Sequence, residues 1–154
     1  MLELNQSAPN FELEDAHGIS IKLTDYLGSW LVVYFYPKDN TPGCTKEACA
    51  LRDDSEEFTY LNTKVIGIST DNSASHLNFS EQQSLAFTLL ADTDGKVSAA
   101  YGVLFKLGPL KFSKRHSFII DPAGNVVKIY RSVSPSLHSQ ALLQDLRQLQ
   151  QVSS

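Results

Sequence analysis

An α/β fold, with a central mixed β-sheet flanked by helices and an N-terminal β-hairpin ahead of it, is predicted by three observations. Two apolar runs rich in β-formers, Trp30 to Tyr36 and Lys64 to Ser69, bracket a stretch with helical periodicity. Two more β-rich runs, Ser117 to Ile120 and Val126 to Tyr130, flank the turn-forming Asp121-Pro122-Ala123-Gly124-Asn125. The chain then closes on an amphipathic pattern through Leu142, Leu146 and Leu149. All 154 residues fit one domain, 1–154. Folding at that size buries roughly 70% of the surface that the unfolded chain exposes, enough to stand without a metal or disulfide staple.

The elements follow in order. Phe11 to Leu23 alternates around an Asp15–Gly18 turn, which predicts the opening hairpin. Trp30 to Tyr36 is continuously apolar or aromatic and stops at Pro37, as a strand buried on both faces does. Thr45 to Leu61 places Ala48, Leu51, Ser55 and Phe58 at three- and four-residue spacing, a helix with one buried stripe. With Lys64 to Ser69 it makes a βαβ unit with a right-handed crossover. Asp71 to Ser84 reads as a second helix capped by Asp71 or Ser73, and Phe87 to Leu90 as a short strand. Lys96 to Tyr101 is a short helix ended by Gly102, and Pro135 to Val152 is the closing helix. Gly102 to Lys114 reads as an irregular apolar loop, tucked against the core or available to a partner. A βαβ half followed by a hairpin and a helix is the thioredoxin-like layout, which by itself says nothing about function.

Composition narrows the classes. Thirteen basic residues against 17 acidic ones give a formal charge of −4, without the basic surplus of a nucleic-acid binder. No apolar run reaches the roughly 18 residues needed to span a membrane. Met1 to Phe11 lacks the pattern of a secretory signal, so a cytoplasmic protein is expected. In that compartment two cysteines point to catalysis or metal binding more than to a staple. His17, His76, His116 and His138 are scattered, and none stands at metal-ligand spacing from another or from a cysteine. No metal or cofactor site is therefore expected.

The informative stretch runs from the end of a buried strand into a helix, where ligands of α/β sheets bind. Pro42-Gly43 forces a turn just ahead of Cys44, which places that thiol at or near a helix N-terminus. Free N–H groups and the helix dipole there favour a thiolate, the nucleophilic form. Thr41 can bond the thiolate or donate to a substrate oxygen, and Pro37 fixes the strand exit and shields one side. Cys49 follows Cys44 at i+5. On an intact α-helix that is about 140° of rotation and roughly 7.5 Å of rise, so the Cα atoms stand about 8.7 Å apart. A disulfide needs less than about 7 Å. The pair reads as a nucleophile and a resolving thiol that meet only after the helix start unwinds. Glu47 serves either the helix, as a capping residue, or the site, and the capping role is favoured. Lys111, Lys114 and Arg115 form a small basic group.

Residues 34–49, Tyr-Phe-Tyr-Pro-Lys-Asp-Asn-Thr-Pro-Gly-Cys-Thr-Lys-Glu-Ala-Cys, resemble the active site of peroxiredoxins. Pro37, Thr41 and Cys44 match the P-x-x-x-T-x-x-C motif, and the Cys44/Cys49 spacing resembles the Q-type, or bacterioferritin comigratory, subfamily. Leu51-Arg52-Asp53, Gly67 to Asp71, Phe87 to Asp92 and Ser117 to Asp121 fall where segments of that subfamily fall. The resemblance implies a thiol peroxidase acting on hydroperoxides, with Cys44 peroxidatic, Cys49 resolving and Arg115 as the family's catalytic arginine. It further implies an intramolecular disulfide, thioredoxin or a similar dithiol as reductant, no metal, flavin or haem, and a monomer. Two rivals are a thiol-disulfide oxidoreductase, which would carry C-x-x-C, and a redox-sensing module that turns nothing over.

Overall fold

The computed structural model describes residues 2–131 and 133–153. Seven strands form one mixed sheet in the order β2-β1-β5-β4-β3-β8-β9. They are β1 (Glu12–Asp15), β2 (Ser20–Lys22), β3 (Trp30–Phe35), β4 (Thr63–Ser69), β5 (Thr88–Ala91), β8 (Ser117–Ile120) and β9 (Val126–Tyr130). β3, β4 and β5 run parallel, β8 is antiparallel to β3, and β1 is antiparallel to β5. The opening hairpin thus extends the sheet on the side away from β8.

β3 lies between β4 and β8, and alternation along it divides the core into two layers. Leu31, Val33 and Phe35 pack with Phe11, Leu23, Val97, Tyr101 and Phe118 on one face. Trp30, Val32, Tyr34 and Tyr36 pack with Ala48, Leu51, Phe58, Phe79, Leu142 and Leu146 on the other. Each fully buried side chain of this size contributes roughly 1.5–3 kcal/mol by leaving water. Gly67 in β4 is required by that packing. A Cβ there would stand 2.7 Å from Cζ of Tyr34, whose ring lies over the neighbouring strand.

The helices are α1 (Pro42–Asp53), α2 (Ser55–Tyr60), α3 (Ser73–Gln83), α4 (Lys96–Ala100) and α5 (His138–Ser153). Several expectations are corrected. The single helix expected over Thr45 to Leu61 starts earlier, with Pro42 at its first turn, and breaks at Asp54 into α1 and α2. The Asp54 carboxylate at the break accepts hydrogen bonds from Ser139 Oγ (2.7 Å) and Gln140 Nε2 (2.9 Å) of α5. The cap of α3 is Asn72, whose Oδ1 accepts from Ser75 N at 2.8 Å. Asp71 is engaged elsewhere, and Ser73 is already helical. Pro135 to Leu137 lead into α5 without joining it. The expected loop over Gly102 to Lys114 is a second, two-stranded sheet of β6 (Leu104–Leu107) and β7 (Leu110–Ser113), turning at Gly108 and Pro109. Phe105 stacks on Phe112 with ring centroids 5.2 Å apart, while Leu107 (66%) and Leu110 (56%) stay exposed at the tip.

Candidate active site

The site is assembled where β3 ends. Pro37 stops the strand and stands half-buried, and the chain turns through Lys38–Thr41 into α1. Asp39 anchors this turn. Its carboxylate accepts Tyr36 Oη–H at 2.6 Å and Ser75 Oγ–H at 2.8 Å, and lies 2.8 Å from His76 Nδ1. Its backbone N–H donates to Asp71 Oδ2 at 2.8 Å. His76 Nε2 faces the Leu90 carbonyl at 2.9 Å, which ties the turn to β5. Asn40 adopts the left-handed conformation (φ 64°), which asparagine tolerates better than most residues.

Thr41 is the N-cap of α1, and its carbonyl accepts the first helical bond, from Thr45 N at 2.9 Å. The Gly43 and Cys44 amides precede that bond and point out of the helix start, where the dipole favours negative charge. Cys44 is the third residue of the helix. The sequence placed this thiol at the mouth of the turn. The structure seats it beneath, only 1% exposed, on the apolar face with Tyr34, Tyr36 and Ala48. The Thr41 hydroxyl does not bond the sulfur, one of the two roles the sequence offers it. It donates to the Lys38 carbonyl at 3.0 Å.

Arg115 reaches the site from the other neighbour of β3. Antiparallel pairing sets Ser117 opposite Tyr34, and Phe35 N donates to His116 O at 2.8 Å. The chain two residues ahead of β8 therefore emerges beside the end of β3. Arg115 Nη2 lies 3.3 Å from Cys44 Sγ, and Nη1 donates to Glu47 Oε1 at 2.9 Å. Burial alone would weaken its hold on the proton. The facing Cys44 sulfur and Glu47 carboxylate outweigh that and raise it above the ordinary arginine value. Lys111 and Lys114 do not complete a basic group around the thiol. Lys111 Nζ donates to Asp94 O at 3.1 Å, and Lys114 is exposed.

Two further side chains contribute to the site. Glu47 does not cap the helix: α1 begins at Pro42, which puts Glu47 in its second turn. Its side chain is 0% exposed, one turn beyond Cys44 on the same face. Burial, opposed by Arg115, pushes its carboxyl from 4.5 up to about 7. Among the described residues Oε2 of Glu47 has no hydrogen-bond partner, nor does Tyr34 Oη. His138, in the sequence one of four scattered histidines, stands behind the arginine. It is buried, 2.8 Å from Ser117 Oγ, and burial together with the charge of Arg115 lowers it to about 4.

Cys49 lies farther along α1, half-buried, with Sγ 3.3 Å from Gln83 Oε1 at the end of α3. Both cysteines are free thiols within one unbroken helix. Asp39, Asp71 and His76 bring potential metal-ligating atoms within 4.8 Å of one another, a proximity that sequence spacing did not indicate. The hydrogen bonds of the turn account for that cluster.

A thioredoxin-like sheet that presents a helix-start cysteine to an arginine from the segment leading into the adjoining strand defines a class of thiol enzyme, and comparison with known proteins places the chain in it. The chain belongs to the AhpC/TSA family, whose signature matches residues 4–129. Within that family it is a peroxiredoxin of the Bcp or Q type. It is 42% identical over 154 residues to peroxiredoxin Bcp of Bacillus subtilis, covering 96% of this chain and 97% of that one. It is 43% identical over 145 residues to the chloroplastic peroxiredoxin Q of Oryza sativa subsp. japonica, covering 93% of this chain and 66% of the relative. Among solved structures, peroxidoxin BcpB of Mycobacterium tuberculosis superposes with a TM-score of 0.90 at 34% identity, over 96% of this chain and 97% of that one. The Xanthomonas campestris bacterioferritin comigratory protein, studied as trapped-intermediate and ligand complexes for its alkyl peroxide reduction activity, superposes at 0.86 and 34% identity, over 96% of each chain.

Proposed function

We infer that this enzyme reduces hydroperoxides through Cys44, as a thiol-dependent peroxidase of its family. The observation that carries this reading is the Arg115 guanidinium 3.3 Å from Cys44 Sγ at the first turn of α1. The thiolate attacks the terminal peroxide oxygen in line with the O–O bond. An S–O bond forms as the O–O bond breaks, Cys44 becomes a sulfenic acid, and the departing hydroxide or alkoxide takes a proton from solvent. Charge builds on that leaving oxygen. Arg115 and the Gly43 and Cys44 amides are the donors placed to meet it, and one fixed donor of this kind is worth about 3 kcal/mol in enzymes generally. With its hydrogen given to Lys38, the Thr41 hydroxyl keeps its lone pairs and serves as acceptor for the hydroperoxide O–H. Pro37 closes one side of the pocket.

Cys49 then condenses with the sulfenic acid: an S–S bond forms, water leaves, and a Cys44–Cys49 disulfide remains. Helix geometry supports an unwinding step first, because about 8.7 Å between the Cα atoms is too far for the bond. An external dithiol, thioredoxin or a similar protein, takes the disulfide back to two thiols. The chain works as one domain, 1–154, as a monomer in the cytoplasm. Among the described residues no helix is long and apolar enough to cross a membrane.

The test is peroxide consumption coupled to thioredoxin and NADPH oxidation. Cys44→Ser abolishes turnover, and near-wild-type activity in that variant would remove Cys44 from the chemistry. Cys49→Ser consumes one equivalent of peroxide quickly and then stalls as sulfenic acid. Normal cycling by that variant would mean that the resolving thiol lies elsewhere.

A further inference from the structure

The contact at Cys49 has a second half. Gln83 is the last residue of α3, and Ser84 beyond it ends the helix in the left-handed conformation (φ 52°). The carbonyl of Gln83 therefore lies in the last turn, where carbonyls lack helical partners. Arg52 Nη1 of α1 fills that role, donating to Gln83 O at 2.7 Å, with its cation at the negative end of the helix dipole. The side chain of the same residue accepts from Cys49 Sγ at 3.3 Å. Cys49 and Arg52 are i and i+3 on α1, one above the other on a single face. One residue of α3 thus grips α1 twice, and one grip is on the thiol that must travel.

We propose that Gln83 is a positioning residue for the resolving step, which holds the Cys49 thiol on α3 and sets how fast it reaches Cys44. The proposal rests on the Cys44–Cys49 pairing above. An amide oxygen accepts only, so the contact exists while Cys49 keeps its hydrogen. Attack on the sulfenic acid needs that hydrogen gone and the side chain released. The reaction is unchanged: Cys49–SH and Cys44–SOH give the disulfide and water. Gln83 delays it, and the delay lengthens the life of the sulfenic acid, which a second peroxide can carry on to sulfinic acid.

The experiment mixes reduced protein rapidly with one equivalent of hydrogen peroxide, quenches with an alkylating reagent, and follows each species by mass spectrometry. Gln83→Met keeps length and helix propensity and leaves the carbonyl to Arg52, but removes the acceptor. Its sulfenic acid forms at the wild-type rate, which also reports an intact site. Its disulfide then appears about two- to fivefold faster, the range expected for one lost thiol hydrogen bond. At excess peroxide it accumulates less sulfinic acid. Gln83→Glu restores an oxygen acceptor and resolves no faster than wild type. Resolution by Gln83→Met at or below the wild-type rate, or Gln83→Glu as fast as Gln83→Met, overturns the proposal. If wild-type protein forms no Cys44–Cys49 disulfide, the pairing itself fails and takes this role with it.

Discussion

At Gly43 a Cβ would stand 3.0 Å from Arg115 Nη2, closer than such contacts settle. The guanidinium lies across the bare backbone of that residue to reach the sulfur. Gly43→Ala is therefore expected to leave the fold intact, because the far end of a long side chain can yield by a few tenths of an ångström. It should slow Cys44 oxidation by roughly tenfold or more, since fixed donors act through their placement. Stopped-flow oxidation with excess hydrogen peroxide measures this, and a wild-type rate would show that the arginine tolerates the displacement. In the sequence Pro42-Gly43 was legible only as a turn. That the glycine also makes room for an arginine 72 positions later depends on β8 pairing with β3, which no local pattern encodes. Cys44 was readable because strand end, Pro-Gly turn and helix start are adjacent in the chain. Arg115 rests on family resemblance alone, and the site role of Glu47 ranks behind a cap in the sequence because its partner is that distant arginine.

The strand-to-helix turn is held from outside itself. Asp39 collects Tyr36 from just past the end of β3 and Ser75 and His76 from α3, and every partner is buried or half-buried. Asp39→Ala would take the carboxylate from all three, leaving Tyr36 Oη and His76 Nδ1 with their mutual 3.4 Å contact and Ser75 Oγ without its acceptor. It is expected to cost about 3 kcal/mol or more of stability, read as a lower urea midpoint, and to slow Cys44 oxidation by loosening the start of α1. A midpoint within error of wild type would mean that the turn holds its shape unaided. Periodicity revealed α1, α3 and α5 but set their ends poorly. Proline at a first helical position is a start signal as well as a turn residue. Asn72 took the cap of α3 because Asp71 already accepts from Asp39 N and Ser69 Oγ. The β6–β7 hairpin was missed because each strand is only four residues long and mostly exposed. Gly108-Pro109 was the signal that could have found it.

Over the whole molecule, two buried groups of opposite kind make stability depend on pH in opposite senses. Glu47 has its proton affinity raised from 4.5 to about 7. Between those values the folded chain keeps a proton that the unfolded chain has lost, so stability falls as pH rises through the window. His138 is lowered from 6.5 to about 4, so the unfolded chain gains a proton first and stability falls as pH drops through that window. Each window is about 2.5 pH units wide and carries about 3 kcal/mol, and the two largely offset each other in the native protein. Glu47→Gln should expose the histidine slope, with urea midpoints that decline from pH 6.5 towards 4 more steeply than wild type. Parallel profiles for the two proteins would show that Glu47 is not the opposing group. The doubly buried β3 and the thioredoxin-like layout were legible because strand-helix-strand order and apolar runs are local features. The pairing of β1 with β5 was not, since only tertiary contact decides which sheet edge the opening hairpin joins.

Alternate side chains of β3 belong to different layers. If α1 melts during turnover, the packing under Tyr34 and Tyr36 is disturbed, while Leu31, Val33 and Phe35 remain clasped by the opening strands and α4. The molecule would then carry its own mould through each catalytic cycle: the surface that must receive the helix again never leaves its place.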